Sequence, residues 1–328
     1  MIWFQEAGYE LKTIQAYGLS KKISIDNIKN IIKTNKGFTE AKKIIREFKP
    51  DVVIGTGGYI CGATIFSASE LRIPTLLHES NAFPGKAVQF LARRVDTILV
   101  SFEDAKSRIK WAKNIVYTGT PVKIKKQNYD LNRKKKIIEN WGLNMSQPIV
   151  LVFGGSQGAK KINGAVIEIA SKKLNMDYQI IWATGAKQYD AVKEEFENKR
   201  ININNIKGMK IVPYIYNMEE IMNCADVIVA RSGAMTVTEI SNLGKPSILI
   251  PLPNVSHDHQ LYNAKVLENV GAAKIILNDD LNGEDLNKSI NDIVIDKNKM
   301  LDMGKKALKI STSNVEDKIY EQIVKLVK

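Results

Sequence analysis

Residues 148–153 read Pro-Ile-Val-Leu-Val-Phe and break directly into Gly154, Gly155, Ser156, Gln157, Gly158 and Ala159. An apolar run with no polar residue at alternate positions predicts a strand covered on both faces, as in a parallel sheet flanked by helices. Shorter apolar runs at 178–183, 209–212, 226–230 and 247–251 also read as strands, with helical patterns between them. In the first half, 51–54, 73–78 and 97–101 read the same way, and a helical pattern spans about 61–72. Strands alternating with helices predict an α/β chain with doubly wound parallel sheets.

The two halves echo each other. Gly57-Gly58 leads through a helix to Ile73-Pro74-Thr75-Leu76-Leu77. Ser232-Gly233-Ala234 leads through another to Lys245-Pro246-Ser247-Ile248-Leu249. A chain of 328 residues has room for two ordinary cores. The stretch 121–147, rich in Lys and Asn with few large apolar residues before Ile137, reads as the passage between them. The expected architecture is two Rossmann-like domains facing a cleft. Their expected spans are 1–122 and 123–313, with a C-terminal helix at about 314–328 packing back on the first. Ligands of such sheets lie beyond the carboxyl ends of the strands, where these glycine turns fall.

Composition narrows the class further. With 44% hydrophobic and 25% charged residues, the chain has the make-up of a globular protein. No apolar run approaches the length of a bilayer span. The start, Met1-Ile2-Trp3-Phe4-Gln5-Glu6, lacks a signal-peptide pattern. Cys61 and Cys224 suggest neither a disulfide framework nor a zinc site, so a cytoplasmic chain is expected. The formal charge of +13 points to an acidic partner, and nucleotide phosphates, anionic lipid or nucleic acid all fit. A lysine-rich proteome explains it equally. With no recognition motif and no aromatics interleaved with the basic residues, nucleic acid is not expected.

Four stretches carry chemistry. The run 153–159 joins a buried strand to a helix, so its amides and the helix's positive end face a ligand, unless it is a plain βα turn. It is neither a Walker loop nor a full G-x-G-x-x-G. Residues 230–239, Ala-Arg-Ser-Gly-Ala-Met-Thr-Val-Thr-Glu, join a strand to a helix expected over 236–243. Amides at that helix start suit a diphosphate. An ionised Glu239 would accept both hydroxyls of a ribose, although most glutamates in helices are only solvated charges. His257-Asp258-His259-Gln260 invites a metal reading, but histidines two apart suit no usual zinc spacing, and Gln260 reads better as a ligand hydrogen-bonding side chain. No Asp-X-Asp pair is present to chelate a metal–diphosphate. His78-Glu79-Ser80-Asn81 leaves the strand 73–78 with four polar side chains, as a ligand cleft does, though a lone histidine is often structural. Residues 19–38 hold five isoleucines and five lysines. That suits either an ordinary packed helix or a surface resting on anionic lipid.

Taken in order and with their spacing, five segments resemble one family. They are Gly55-Thr56-Gly57-Gly58-Tyr59, His78-Glu79-Ser80-Asn81, Gly119-Thr120-Pro121-Val122, the run 154–159 and the run 231–239. The family is glycosyltransferase family 28, that of the peptidoglycan N-acetylglucosaminyltransferase MurG, and the resemblance covers essentially the whole chain. It implies a B-type glycosyltransferase fold. The second domain would bind UDP-N-acetylglucosamine. The first would take an undecaprenyl-pyrophosphoryl acceptor at the cytoplasmic face of the cell membrane, as a peripheral protein on its anionic surface.

Carried over position by position, the implied donor contacts are Asn81, Lys123, Ser156, the backbone of Ile215, Ala234, Met235, Thr236, Val237, Thr238, Glu239 (the ribose) and Gln260. Those on the acceptor side are Gly57, Gly58, Tyr59, His78 and Glu79. No cofactor and no metal are implied. Lys123 stands where the family has arginine, keeping the charge but losing the two-pronged guanidinium. Ser80 stands where the family usually has glutamine. The reaction implied is an inverting, metal-independent transfer. The family's first strand, histidine-bearing glycine loop, helix and second strand have no counterpart in this sequence. The chain is therefore read as N-terminally incomplete, with no base to name and no turnover expected. Other readings are a nucleotide-sugar-binding subunit that needs a partner, and another glycosyltransferase or an epimerase of the same fold.

Overall fold

The computed structural model describes residues 8–15, 25–155, 157–253, 255 and 258–328, with all of their side chains except those of 25–35 and Tyr59. Ser156, His257 and the Tyr59 side chain lie outside the described residues, as does nearly all of the 19–38 stretch apart from its helical backbone. The chain divides into two compact units, residues 1–120 with 314–328, and residues 121–313.

Among the described residues, the first unit holds helix α1 (Ile25–Phe48), then β1 (Val53–Gly55), α2 (Gly58–Glu70), β2 (Thr75–Glu79), α3 (Lys86–Leu91), β3 (Thr97–Val100) and β4 (Ile115–Tyr117). The strands form one parallel sheet in the order β1-β2-β3-β4, with Ile54 opposite Leu76, Leu77 opposite Ile98 and Leu99 opposite Val116. β2 and β3 are buried along their whole length, which is why both read as unbroken apolar runs. Their side chains meet Ile65 of α2 and Val88 and Leu91 of α3 in one core. Helix α1 packs along α2, where Phe38 meets Phe66 edge to face at 5.2 Å and Ser67 Oγ donates to the Phe38 carbonyl.

The second unit contains α4 (Leu131–Asn140), β5 (Ile149–Phe153), α5 (Lys160–Lys172), β6 (Gln179–Ala183), α6 (Tyr189–Asn198), β7 (Met209–Val212) and α7 (Met218–Cys224). It continues through β8 (Val227–Ala230), α8 (Ala234–Leu243), β9 (Ser247–Leu249), α9 (His259–Asn269), β10 (Ala273–Ile275), α10 (Gly283–Val294) and α11 (Lys297–Leu308). Its six strands are parallel in the order β10-β9-β8-β5-β6-β7. The chain runs outward from β5 to β7, returns to β8 beside β5, and runs outward again on the other side. The switch point of the sheet is therefore the β5/β8 pair, in which Phe153 lies opposite Ala230. The core gathers Val150, Val152, Trp182, Phe196, Val229, Ile248 and Ile290. The one polar atom of Trp182 is satisfied, since Nε1 donates to Asn163 Oδ1 at 3.1 Å. The last helix, α12 (Val315–Val327), belongs to the first unit.

Three elements escape a reading of apolar pattern. Within 121–147 lies α4, started by Asp130, whose side chain accepts the Arg133 amide at 2.7 Å. It buries little beyond Ile137 and Ile138, so its sequence looks like linker. Strands β4 and β10 are three residues each and lie at sheet edges, too short for any periodicity to register. Helix α8 also starts two residues earlier than expected, at Ala234, which brings the glycine turn directly onto its first turn.

Candidate functional site

Because Phe153 and Ala230 are register partners, the loops leaving β5 and β8 emerge side by side at the switch point. The β5 loop is shaped by its glycines. Gly155 and Gly158 have φ of 84° and 74°, conformations that side chains resist. A Cβ on Gly158 would lie 2.2 Å from the Thr184 carbonyl, whereas one on Gly155 would meet nothing within 4 Å. Gly158 is thus a packing glycine. Gly155 borders open space, where a ligand can approach the backbone.

The β8 loop is held from three sides. Arg231 donates Nη1 to the carbonyls of Ile250 and Pro251, both at 3.1 Å, and Nη2 to Asn278 Oδ1 at 2.9 Å. Burial lowers its pKa from the ordinary guanidinium value, and these neutral acceptors replace water. Ser232, fully buried, donates to the Gln260 carbonyl at 2.8 Å, and Asn263 Nδ2 donates to the Ser232 carbonyl. The start of α9 is thereby fastened to the start of α8. Arg231 acts as a clamp. Asn263 is a site residue with no sequence signal, since only its position in the fold gives it a role.

Gly233 caps α8, and the first amide in the helical ladder is that of Val237, donating to the Gly233 carbonyl at 3.0 Å. The amides of Ala234, Met235 and Thr236 have no intrahelical acceptor and form the positive end of the helix. Val237, in contrast, has a fully buried side chain and a committed amide. Thr238 turns its hydroxyl back onto the Ala234 carbonyl. Of the six residues expected from sequence to meet a donor, Val237 has its amide and Thr238 its hydroxyl committed internally, while Ala234, Met235 and Thr236 present amides and Glu239 a carboxyl. Glu239 itself departs from the expected ionised acceptor. Burial raises its pKa to about 7, and it has no protein partner among the described residues. Ile215, read from sequence as a main-chain contact, is buried. Gln260, read as a ligand side chain, uses its Oε1 to accept the Leu252 amide at 2.9 Å. Lys123 is exposed and forms no ion pair among the described residues.

In the first unit, Gly57 and Gly58 have φ of 92° and 79°, and open space lies beside both. His78 is buried. Its Nε2 lies 2.9 Å from the Gly119 carbonyl, which can only accept, so Nε2 carries the proton and Nδ1 faces the Ser80 hydroxyl at 3.5 Å. Desolvation lowers its pKa, against smaller opposing effects of the Gly119 bond and the Glu79 charge. Glu79 is committed inside its own loop. One oxygen accepts the Asn81 amide at 2.8 Å and the Asn81 side chain at 3.1 Å, and the other accepts the Gly85 amide at 2.7 Å. Read from sequence as facing an acceptor, Glu79 instead shapes the 80–85 loop and orients Asn81. Among the described residues, no three His, Cys, Asp or Glu side chains are grouped to hold a metal ion.

Two family models match, the glycosyltransferase family 28 N-terminal domain over residues 2–100 and its C-terminal domain over residues 149–321. The chain belongs to glycosyltransferase family 28. A family 28 relative from Acetivibrio thermocellus is 40% identical over 98% of this chain and 85% of its own length. It is named UDP-N-acetylglucosamine--N-acetylmuramyl-(pentapeptide) pyrophosphoryl-undecaprenol N-acetylglucosamine transferase. One of the same name from Caldanaerobacter subterraneus subsp. tengcongensis is 40% identical over 98% of this chain and 86% of its own length. Among solved structures, the family 28 fold seen here is similar to that of Acinetobacter baumannii MurG. The TM-score is 0.75 at 25% identity, covering 99% of this chain and 87% of that one. A putative UDP-N-acetylglucosamine 2-epimerase from Listeria monocytogenes shares the fold alone, with a TM-score of 0.63 at 14% identity over 87% of this chain and 76% of that one.

Proposed function

We infer that this chain transfers N-acetylglucosamine from UDP-N-acetylglucosamine to undecaprenyl-pyrophosphoryl-N-acetylmuramyl-pentapeptide, converting lipid I to lipid II in peptidoglycan synthesis. The observation that carries this reading is the β5/β8 switch point. There a glycine loop, three α8 amides with no intrahelical acceptor and a carboxyl with no partner among the described residues lie at the carboxyl end of one sheet. A nucleoside diphosphate sugar matches each part. The diphosphate takes the positive end of α8 and the amides of the 154–158 loop. The ribose hydroxyls take Glu239, and the Ile215 backbone meets the uracil.

In the transfer, an acceptor sugar hydroxyl attacks the anomeric carbon from the face opposite the diphosphate. The new C–O bond forms as the bond to the diphosphate oxygen breaks, and the hydroxyl proton passes to a base. Charge grows on the departing UDP, and the α8 dipole stabilises it from a fixed position without a metal ion. The 57–58 turn and the loop held by Glu79 serve the acceptor side.

The membrane surface belongs to the same reading. Phe90 and Trp111 are 64% and 68% exposed, and the Arg93 guanidinium lies 4.0 Å from the Trp111 ring centre. Aromatic side chains paired with arginine suit the head-group layer of an anionic bilayer. No helix among the described residues is long and apolar enough to cross a membrane. The test is incubation with UDP-N-acetylglucosamine with and without a lipid I analogue. UDP release that requires the acceptor is expected, in place of the absence of turnover read from the sequence, and conversion of the nucleotide sugar without acceptor would overturn the transferase reading in favour of an epimerase.

A further inference from the structure

At the amino ends of β5, β6 and β7, the opposite end of the sheet from the donor loops, lies a pocket of about 790 Å³. That volume falls within the roughly 300–1,000 Å³ typical of small-molecule sites. Its walls come from the segment before β5, from the end of α5 with the loop entering β6, and from the 201–208 turn before β7. Asn175 joins two of these walls, since its Nδ2 donates to the Lys207 carbonyl at 3.3 Å. Gly208 permits that approach. Its φ is 69°, and a Cβ there would sit 3.3 Å from the same nitrogen. Ser171, in the last turn of α5, lines the pocket and is half-buried. Its hydroxyl oxygen is withdrawn from solvent and has no hydrogen-bond partner among the described residues. A buried hydroxyl left unpaired costs about 1–3 kcal/mol. A ligand oxygen in the pocket, with a rotation about the serine χ1, supplies the missing partner.

The lining selects the chemistry of an occupant. Lys173 and Lys207 border the pocket with no carboxylate partner among the described residues, and neither a carboxylate nor an aromatic ring lines it. Two free ammonium groups match an anion such as a phosphate, and nothing offers a face on which a nucleobase could stack. Gln147 and Asn175 each commit the amide nitrogen inside the protein and keep the oxygen, while the Asn205 side chain is uncommitted among the described residues. These groups and Ser171 suit hydroxyls, which both donate and accept. Met176, Ile201 and Ile206 give an apolar wall for a carbon skeleton. Lys173 is also the C-cap of α5 and offsets the negative end of that helix. The pocket therefore favours a ligand that combines one anionic group with hydroxyls over a bare anion. We propose that it binds a phosphorylated sugar, as a site separate from the donor loops.

Calorimetric titration of the full chain, with and without UDP, tests it. The probes are glucose-6-phosphate, N-acetylglucosamine-1-phosphate, glucose and inorganic phosphate. At least one of the two esters is expected to bind, with an affinity that UDP does not change. Lys173→Gln/Lys207→Gln is expected to weaken that binding about tenfold for each charge removed, and to leave UDP affinity as it was. Ser171→Ala is expected to weaken it about fivefold while the melting temperature of the free chain stays level or rises. A hydroxyl with a purely structural role would lower that temperature instead. Lys305→Gln/Lys309→Gln, which removes two exposed charges elsewhere in the same unit, is the matched control and is expected to change nothing. The proposal is overturned if neither ester binds, if UDP displaces the bound ester, or if the two double variants weaken binding equally. Glucose or inorganic phosphate binding as tightly as the esters would overturn the assignment to a phosphorylated sugar.

Discussion

Glu239 illustrates how one side chain links stability to ligand binding. Its folded pKa of about 7 lies above the ordinary carboxyl value of 4.5 because burial disfavours the charge. The folded chain therefore holds a proton that the unfolded chain has released between those values, and stability falls as pH rises through that window. Glu239→Gln is expected to raise stability at pH 8 by roughly 2 kcal/mol, read from denaturant midpoints. It should also weaken UDP binding and flatten its pH dependence. In the unaltered chain, binding that uses the ionised carboxylate weakens about tenfold per pH unit below 7. A pH-independent affinity for UDP would show that the ribose does not need the charge. Glu79 works differently, through geometry. Glu79→Ala frees the Asn81 and Gly85 amides, and is expected to cost about 1–3 kcal/mol of stability and to raise KM for the donor sugar. Both glutamates stand out as polar residues beside strand or turn signals. Their opposite roles are not legible there, because burial and committed hydrogen bonds depend on residues far away in the chain.

Elements carry the next set of expectations. Gly158 and Gly155 sit three residues apart in one loop with similar φ, yet their surroundings differ. Gly158→Ala forces a methyl group onto the Thr184 carbonyl and is expected to destabilise the second unit by several kcal/mol, seen as a lower melting temperature. Gly155→Ala has space and pays about 1–2 kcal/mol for its backbone angle, with its larger effect on UDP affinity. If the two variants lost stability equally, the packing argument would fail. Asp130→Ala removes the cap of α4 and is expected to cost about 1 kcal/mol with no change in UDP affinity. The long parallel strands were legible as apolar runs because burial on both faces leaves no polar alternation. Helix α4 and the short edge strands β4 and β10 were not, since they bury too few side chains to mark the sequence.

At the scale of the whole molecule, each unit has its own sheet and core, and the proposed chemistry is divided between them. UDP at about a hundred times its Kd should stabilise the folded state by about 2.7 kcal/mol. Hydrogen-exchange protection should increase in the 154–158, 231–237 and 252–260 loops of the second unit. Protection confined to the first unit would refute the placement of the donor. The formal charge of +13 is a property of the entire chain and says little about where it acts. The tertiary structure places Arg72, Arg94 and Lys325, from three separated segments, around one pocket.

The fold class, the alternation of strand and helix, the glycine turns and the family are all legible in the order of residues along the chain. All of these depend on residues near one another in the chain, where propensity and burial period act. Only the tertiary structure decided that the β5 and β8 loops are neighbours, that Val237 and Glu79 are committed inside the protein, and that Glu239 is desolvated. Strand order brings residues 153 and 230 together, and desolvation depends on whatever the completed fold packs against a side chain.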